Sequence, residues 1–315
     1  EITCRDWSSD VCSSDLVYGP VWNHQELIHE YSALDNNVKD FFEIGISKKH
    51  DISLSGVSND NKMNYYLSFS HADDDGIMPT NADTYKRNTI AYRSSFDATD
   101  WFKLSSSVNY ATNQTDVVST YQGTSVMDGL YEMPRDISII DKKDLSNAFN
   151  TPEAYFTPYG ITNPYWSLAN NYNHKDGKQI NGKLQADIKP LEQFILTYRY
   201  GYDYSDYDFK MGIPAIKLDD ALIDENHGYP PSKMNQDGSI YTSYYRSYEI
   251  NHDFIANYDN KFSDFTIAAN VGMNINERSN TSITGEVTGL TFETCYWDLS
   301  NGSTKSQLSE NQTIF

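Results

Sequence analysis

Residues 180–205 carry the most regular pattern in this sequence, two runs in which apolar and polar side chains alternate. Successive side chains of a strand point to opposite sides of a sheet, so the runs predict a β-hairpin with one apolar and one polar face. Each arm is about ten residues long, well above the roughly five or six of an ordinary strand and close to the ~9–11 of a strand that crosses a membrane. The apolar face carries Ile180, Gly182, Leu184, Ala186, Ile188, Phe194, Leu196, Tyr198, Tyr200, Tyr202 and Tyr204.

The composition agrees with strands that meet lipid on one side only. Hydrophobic residues make up 38% of the 315 residues, and tyrosine occurs 25 times. No apolar run approaches the ~18 residues of a transmembrane helix, whereas a transmembrane barrel needs an apolar side chain only at every second position. The net charge of -20 argues against nucleic acid as a partner, because phosphate contacts require lysine and arginine.

Residues 1–16 stand apart from the rest of the chain. They show no apolar periodicity, and 6–16 match the conceptual translation of a sequencing adapter. We therefore expect residues 1–16 to be a non-native, adapter-derived segment and exclude them from the fold. The alternative is a genuine serine-rich disordered leader. Without this segment Cys295 is the one cysteine left, so the sequence predicts no disulfide framework.

The alternation recurs along the chain and predicts about eight long strands in four hairpins. Short turns are expected near 59–62, 97–100, 190–193 and 259–264. Long connections are expected near 72–84, 113–179, 207–243 and 279–312. Long loops alternating with short turns are typical of outer-membrane barrels, which place the short turns on the periplasmic side. The predicted fold class is all-β: an antiparallel meander forming an arc of a large transmembrane β-barrel, with long extracellular loops and short periplasmic turns.

Two local features refine this prediction. Tyrosine-rich strand ends at Tyr200–Tyr207 and Tyr241–Tyr248 lie toward the long loops, where an aromatic girdle is expected at the membrane interface. Near the start of the chain, Val38–Phe42 is expected to form a short helix capped by Asp35 or Asn36.

Charged residues on the polar faces of the strands are expected to face the lumen of the barrel. There they would hydrate the interior or guide a ligand. The lumen-facing candidates are Arg93, Lys183, Asp187, Arg199 and Asp203.

The sequence offers little for catalysis or metal binding. His24 and His29 have the wrong spacing for a zincin helix, and Asp73–Gly76 fails as an EF-hand loop. Asp203, Asp206 and Asp208 could be considered as the carboxylate pair of a glycosidase, but closeness in sequence means little in a chain with so many acidic residues. No nucleophile-elbow, P-loop or dinucleotide fingerprint is present. We therefore predict no enzymatic activity, no metal site and no cofactor.

The connection 113–179 is rich in proline and aromatic residues, which makes it stiff. Stiff aromatic surface beside an aqueous lumen suits stacking on sugars or peptides. The alternative is that the rings pack the loop onto the mouth of the barrel. The candidates for contact with substrate or a partner are Arg135, Asp136, Tyr155, Tyr159, Tyr165 and Trp166.

Five blocks give the sequence a resemblance to a known family. They are Asn37–Phe42, Asp75–Thr80, Tyr85–Asn88, Met133–Asp136 and Asn163–Trp166. In this order they resemble SusC/RagA-type TonB-dependent outer-membrane transporters, and the resemblance extends from about Val17 to Phe315.

The resemblance implies a barrel of about 22 strands with an N-terminal plug, located in the outer membrane. It implies import of glycan oligomers or peptides, a SusD-like surface lipoprotein as partner, and energy from the TonB-ExbB-ExbD complex. Residues 17–315 are then expected to be part of the barrel, with the signal peptide, TonB box, plug and C-terminal strands outside the chain.

A second interpretation assigns the chain to a secreted, soluble all-β carbohydrate-binding module with the tyrosines as a sugar platform. It predicts two packed sheets that bury the apolar faces, whereas the barrel leaves those faces exposed. A glycoside hydrolase is weaker still, because no pair of carboxylates has a local signature.

Overall fold

A computed structural model describes residues 32–119, 125–147, 150–152, 162–217, 236–294 and 296–314. Within these residues the chain forms one sheet of nine strands in the order of the sequence. All eight neighbouring pairs are antiparallel, so the sheet is a meander. The predicted all-β antiparallel meander is confirmed.

The strands range from 12 residues in β1 to 26 residues in β8. They are β1 (Ile46–Val57), β2 (Met63–Asp75), β3 (Thr84–Thr99), β4 (Phe102–Asp116), β5 (Tyr172–Leu191), β6 (Phe194–Ile213), β7 (Ser239–Phe262), β8 (Phe265–Leu290) and β9 (Gly302–Ile314). Two short α-helices, α1 (Val126–Tyr131) and α2 (Pro164–Asn170), lie between β4 and β5. Single 3-10 turns occur at Lys39–Phe41, Pro79–Asn81, Ile140–Lys143 and Leu299–Asn301. No described helix is long and apolar enough to span a membrane.

Short turns and long connections alternate between the two ends of the sheet, as predicted. The β1–β2 turn is closed by Ser58, whose hydroxyl accepts from the Met63 amide, and Asn61 adopts a left-handed conformation there. The β3–β4, β5–β6 and β7–β8 turns are shorter still. The connections 76–83, 117–171, 214–238 and 291–301 all leave from and return to strands at the opposite end of the sheet, which we call the loop end.

The prediction of eight strands was one short. Residues 279–290, expected in a connection, continue β8, and residues 302–314 form β9 beside them. These segments alternate weakly because they lie beyond the apolar part of the sheet. They are held mainly by backbone pairing, with a small buried cluster at Val287 and Leu290, so the sequence needs no regular apolar period there.

The predicted helix over 38–42 is a 3-10 turn at Lys39–Phe41. Neither Asp35 nor Asn36 caps it through a side chain, and its N-cap residue is Val38. Asn36 instead adopts a left-handed backbone, and its carbonyl accepts from the Asp40 amide at 2.8 Å. The turn places Phe41 in a buried cluster at the loop end, where its side chain is 1% exposed.

Candidate functional site

One face of the sheet, which we call the band face, carries a continuous apolar belt. Strand register aligns its residues in rows that run across the strands. The row nearest the loop end contains Phe69, Ile90, Tyr110, Ile180, Tyr204 and Tyr248. The row nearest the short turns contains Leu191, Phe194, Tyr258 and Ala269. The belt is exposed, since Leu184 and Leu196 are 44% and 42% exposed and Val271 is 73% exposed.

The height of the belt is set by the strand that crosses it. On β6 it extends from Phe194 to Tyr204, about ten residue steps or roughly 33 Å along the strand. With the ~35–45° tilt of a transmembrane barrel strand, this projects to about 25 Å. That height equals the apolar band of outer-membrane barrels.

Several polar groups inside the belt have a hydrogen-bond partner on a neighbouring strand. Ser94 and Ser106 lie opposite each other, and their hydroxyl oxygens are 2.8 Å apart. Nδ1 of His252 lies 2.9 Å from the Tyr198 hydroxyl, and the rings of Tyr198 and Tyr200 flank the imidazole. A polar side chain within an apolar surface is stabilised by a hydrogen-bond partner from the sheet.

The opposite face, which we call the polar face, carries all five predicted lumen residues. One row, continuous across eight strands, contains Ser53, Ser68, Ala91, Asn109, Asn181, Asp203, Glu249 and Arg278. Arg93 and Lys183 share the next row through Ser107. Arg199 and Asp187 occupy the two rows after that. The structure thus brings these charges to one face.

Cross-strand hydrogen bonds tie these charges together. Nε of Arg199 donates to Gln185 at 3.3 Å, and its Nη1 lies 3.5 Å from an Asp253 carboxylate oxygen. The Thr197 hydroxyl donates to Asp187 at 2.6 Å. On the far side of β7, Glu249 accepts from Arg278 and Asn276, each at 2.7 Å. These exposed pairs contribute little stability each, and together they keep the face charged and hydrated.

The tyrosine-rich strand ends divide between the two faces, and the sequence did not show this division. Tyr204 and Tyr248 border the belt as expected of a girdle, but Tyr207, Tyr241 and Tyr245 lie on the polar face. The rings of Tyr207 and Tyr245 stack with centroids 5.1 Å apart. Nζ of Lys175 lies 4.3 Å from the Tyr207 centroid. Strand parity, counted from Tyr204 to Tyr207, would have located this aromatic cluster.

At the loop end, three of the resemblance blocks meet. Phe41 and Tyr165 pack with ring centroids 4.9 Å apart, beside Met133. The Asn37 side chain donates to the Ile137 carbonyl at 2.6 Å and accepts from the Ile139 amide at 2.9 Å. We call this buried group the loop core. Its further members are Val126, Leu130, Ile137 and Ile139.

Buried asparagines fix the backbone around the loop core. Asn163 caps α2 by accepting from the Tyr165 amide, and its side chain donates to the carbonyls of Lys142 and Asn150 at 2.9 and 2.8 Å. Asn150 in turn accepts from Nζ of Lys142 at 3.1 Å. Lys142 is only 5% exposed, and this burial lowers the pKa of its ammonium to about 7.

The predicted loop contacts fall into three groups. Tyr165 is 6% exposed, and Asp136 is buried as well. These two side chains therefore pack within the loop, which is the alternative to contact with a substrate or partner. Arg135 is exposed and Trp166 is partly exposed. Tyr155 and Tyr159 lie outside the described residues, as do the segment 1–16 and His24–His29.

A second group at the loop end covers the band face above its belt. Ala215, Ile240, Val287 and Leu290 are buried together, and Trp297 and Leu299 pack against them. Trp297 lies directly over Gly212, where a Cβ would come within 2.1 Å of the indole. Glycine is therefore required for this close approach.

Asp73–Asp75 are the last three residues of β2, and the β2–β3 connection that follows is held by Asp83. The Asp83 carboxylate accepts from the amides of Ile77 and Met78 at 3.0 and 3.1 Å. Burial nevertheless raises the pKa of Asp83. Among the described residues, no group of three or more histidine, cysteine or acidic side chains is arranged to hold a metal ion.

Comparison with solved structures identifies the fold. A chain of the RagAB peptide importer in its closed-closed state superposes with a TM-score of 0.65 at 19% identity, over 95% of this chain and 31% of that chain. A chain of the RagAB peptide transporter gives 0.64 at 20% identity, over 90% and 30%. The open-open state gives 0.65 at 20% identity, over 89% and 29%. No family model and no curated protein matches the sequence.

The chain is an all-β antiparallel arc that shares its fold with part of these solved chains. It spans about a third of the length of the solved chains that it matches.

Proposed function

We propose that this chain is part of the wall of an outer-membrane, TonB-dependent active transporter of the SusC/RagA type. The band face contacts the lipid, and the polar face lines the path of the cargo. The cargo is a peptide or a glycan oligomer, which crosses the wall without being chemically changed. The observation that carries this proposal is the belt, about 25 Å high, opposite a face that is polar across eight strands.

Energetics explain why the two faces differ. An arginine or lysine placed against the middle of the bilayer costs roughly 2–4 kcal/mol, whereas a residue facing the lumen remains hydrated. All five predicted lumen charges are on the polar face. The polar side chains of the belt include His252, the paired serines Ser94 and Ser106, and Glu277, which accepts from the Tyr248 hydroxyl at 3.3 Å.

A SusD-like surface lipoprotein is the proposed partner at the loop end. The loop core packs the described residues 125–147 and 162–170 against residues 34–42, so exposed side chains on these segments have defined positions. Arg135 and Trp166 are the described candidates that project from it, and Tyr155 and Tyr159 remain candidates from the sequence. The TonB-ExbB-ExbD complex is proposed to act through regions outside this chain.

The soluble carbohydrate-binding module is not favoured. It requires the apolar faces to be buried by a second sheet, and the described residues form a single sheet with Leu184, Leu196 and Val271 exposed. Burying these side chains would be worth about 25 cal/mol per Å² of apolar area, so a soluble fold would not leave the whole belt in water.

Uptake measurements test the proposal. Cells with and without the gene for the intact protein are given fluorescent peptides of graded length, or fluorescent oligosaccharides. Peptides are the first choice because the matching solved chains are those of peptide importers. We expect uptake of one cargo class to require the gene and to stop when the proton gradient is collapsed. Equal uptake of both classes by both strains would contradict a transport function.

A further inference from the structure

A row of polar and ionisable side chains crosses the loop-end termini of five strands on the band face. On each strand, β2 to β6, its member lies six residues beyond the belt row nearest the loop end. Six steps along a tilted strand place this row about 15 Å past the belt, outside the hydrocarbon layer. The members of the row are Asp75, Thr84, Asp116, His174 and Lys210.

His174 is held between two carboxylates. Its Nδ1 lies 2.5 Å from an Asp116 carboxylate oxygen, and its Nε2 lies 3.2 Å from an Asp176 carboxylate oxygen. A neutral imidazole has a single N–H group, so one of its nitrogens would turn a lone pair toward a carboxylate. The imidazolium donates from both nitrogens. This geometry therefore favours the charged ring, whose side chain is 18% exposed.

The other groups that face the ring come from three sides. The Tyr172 ring centroid lies 5.9 Å from that of His174, and the Gln114 amide nitrogen lies 3.4 Å from Nε2. Neither of these groups is charged in the pH range where histidine titrates. From β6, Lys210 is the register partner of His174 and opposes a second positive charge. Asp298, in the connection 291–301, attracts this lysine and so weakens its opposition.

Carboxylates dominate the electrostatics around the ring. Partial burial disfavours the charged form of His174, but Asp116 and Asp176 outweigh it and raise the pKa of the imidazole. Asp208, the register partner of Asp176, adds a further acidic group nearby. The ring therefore stays charged above the pH of about 6.5 at which an unfolded histidine titrates. Stability from these contacts is complete below that pH and is lost as the pH rises through the folded value.

The Asp116 carboxylate links three strands at their loop-end termini. The Thr84 hydroxyl donates to its Oδ2 at 3.0 Å, and His174 lies against its Oδ1. Thr84 begins β3, Asp116 ends β4, and His174 is close to the start of β5. The next bond outward runs from the Val117 amide to the Asn173 carbonyl at 3.1 Å. The titratable ring therefore lies at the base of the connection between β4 and β5.

A cavity of about 200 Å³ lies between these strand ends and α2. Its walls come from residues 80–82, from Asp116 and Tyr172, and from the α2 side chains Ser167 and Leu168. The packing of α2 against the strand ends is therefore less complete than in the loop core. Polar contacts made by Asp116 consequently carry more of the attachment at this place.

We propose that His174 is the titratable link of a clamp that fastens the base of the connection 117–171 to the sheet. With the ring charged, the carboxylates of Asp116 and Asp176 both accept from it. Loss of the proton leaves one ring nitrogen facing a carboxylate without a hydrogen, so the clamp loosens in mildly alkaline medium. α2, which carries the candidate contact Trp166, is then held less firmly. The clamp follows from these contacts, whereas its access to the external medium rests on the proposed function.

Hydrogen exchange in the intact protein, reconstituted in lipid, tests the clamp. Peptides that contain Val117 and residues 171–174 are followed from about pH 6 to about pH 8.5, on either side of histidine titration, with rates corrected for the intrinsic pH dependence of exchange. Wild type should exchange about tenfold faster at the higher pH, the effect of losing one charge-assisted hydrogen bond. His174→Gln should show the faster rate at every pH. His174→Arg, a permanent cation, should show the slower rate at every pH.

His50→Gln is the matched control, because His50 is an exposed histidine of β1. Its pH profile should match that of wild type. Lys142 stabilises in the opposite direction as the pH rises, but it is present in every variant and cancels in their differences. Parallel profiles for wild type and His174→Gln would overturn the clamp. An arginine variant that exchanges as fast as the glutamine variant would overturn it as well.

The outcome can be separated from that of the transport proposal. Exchange that depends on pH in wild type and in the His50 variant, but not in the two His174 variants, would support the clamp even if uptake did not require the gene. Uptake that requires the gene, together with wild-type exchange that is the same at both pH values, would overturn the clamp alone.

Discussion

The rings of Phe41 and Tyr165 lie with their centroids 4.9 Å apart, although more than a hundred residues separate them in the chain. This contact joins the segment before β1 to the helix before β5. Both residues belong to blocks that carry the family resemblance, and both are buried in the loop core. These two resemblance blocks therefore contain residues that pack together to form the loop core.

Removing the Tyr165 ring should loosen the loop core. Tyr165→Ala deletes a buried aromatic side chain, which costs about 3–5 kcal/mol where the cavity cannot collapse. We expect faster amide hydrogen exchange across residues 125–147, including the Ile139 amide that Asn37 holds. Tyr131→Ala is the control, because Tyr131 is 70% exposed. Equal exchange in the two variants would show that Tyr165 does not hold the loop.

We expect Asn163 to contribute more to the stability of the loop than its small side chain suggests. Asn163→Ala removes the cap of α2 and two buried donors, so the loop should lose about 2–4 kcal/mol. The measurement is the rate of limited proteolysis within 125–170 of the intact protein. Asn170→Ala removes a single hydrogen bond to the Trp166 carbonyl. The protease should cleave this variant at most slightly faster than wild type. Comparable rates for both variants would contradict the role of Asn163.

Lys142 predicts a dependence of loop stability on pH. Its pKa is about 7 in the folded protein and 10.5 when exposed, so the unfolded loop binds more protons between these values. Stability therefore rises as the pH increases from 7 toward 10. Relative to Lys142→Met, the wild-type loop should gain about 2–3 kcal/mol between pH 7 and pH 9. Hydrogen exchange corrected for its intrinsic pH dependence checks this, and parallel curves for the two proteins would contradict it.

Arginine substitutions should distinguish the two faces near mid-height. Leu104 lies on the band face in the row of Ala186 and Tyr198, and Ser105 is its neighbour on the polar face. In the intact barrel, Leu104→Arg should lower the free energy of unfolding into denaturant by roughly 2–4 kcal/mol, and Ser105→Arg by less than about 1 kcal/mol. Similar losses at both positions would mean that neither face meets lipid.

The sequence predicted the sheet well along its apolar belt. On β5 and β6 a charged residue is excluded from every second position, so alternation identified both the strands and their faces. Beyond the belt this constraint ends. Residues 279–290 and 302–314 pair through their backbones with few apolar side chains, and they were predicted as a connection for that reason.

Side-chain roles in the connections were harder to predict. Tyr165 and Trp166 are adjacent and aromatic, yet one is buried and the other partly exposed. The difference depends on Phe41, whose proximity no local pattern reveals. Similarly, Tyr204 and Tyr207 belong to one tyrosine-rich segment but lie on opposite faces, because three residue steps reverse the direction of a strand side chain.

A spin-label scan of residues 180–188 tests the central claim most directly. Each position on β5 is replaced in turn by a labelled cysteine in the intact protein, reconstituted in lipid, and its collisions with oxygen and with a water-soluble nickel complex are measured. Labels at 180, 182, 184, 186 and 188 should favour oxygen, which concentrates in the bilayer, and those at 181, 183, 185 and 187 should favour nickel. A scan without this two-residue period, or with nickel favoured at Leu184, would contradict a lipid-facing wall.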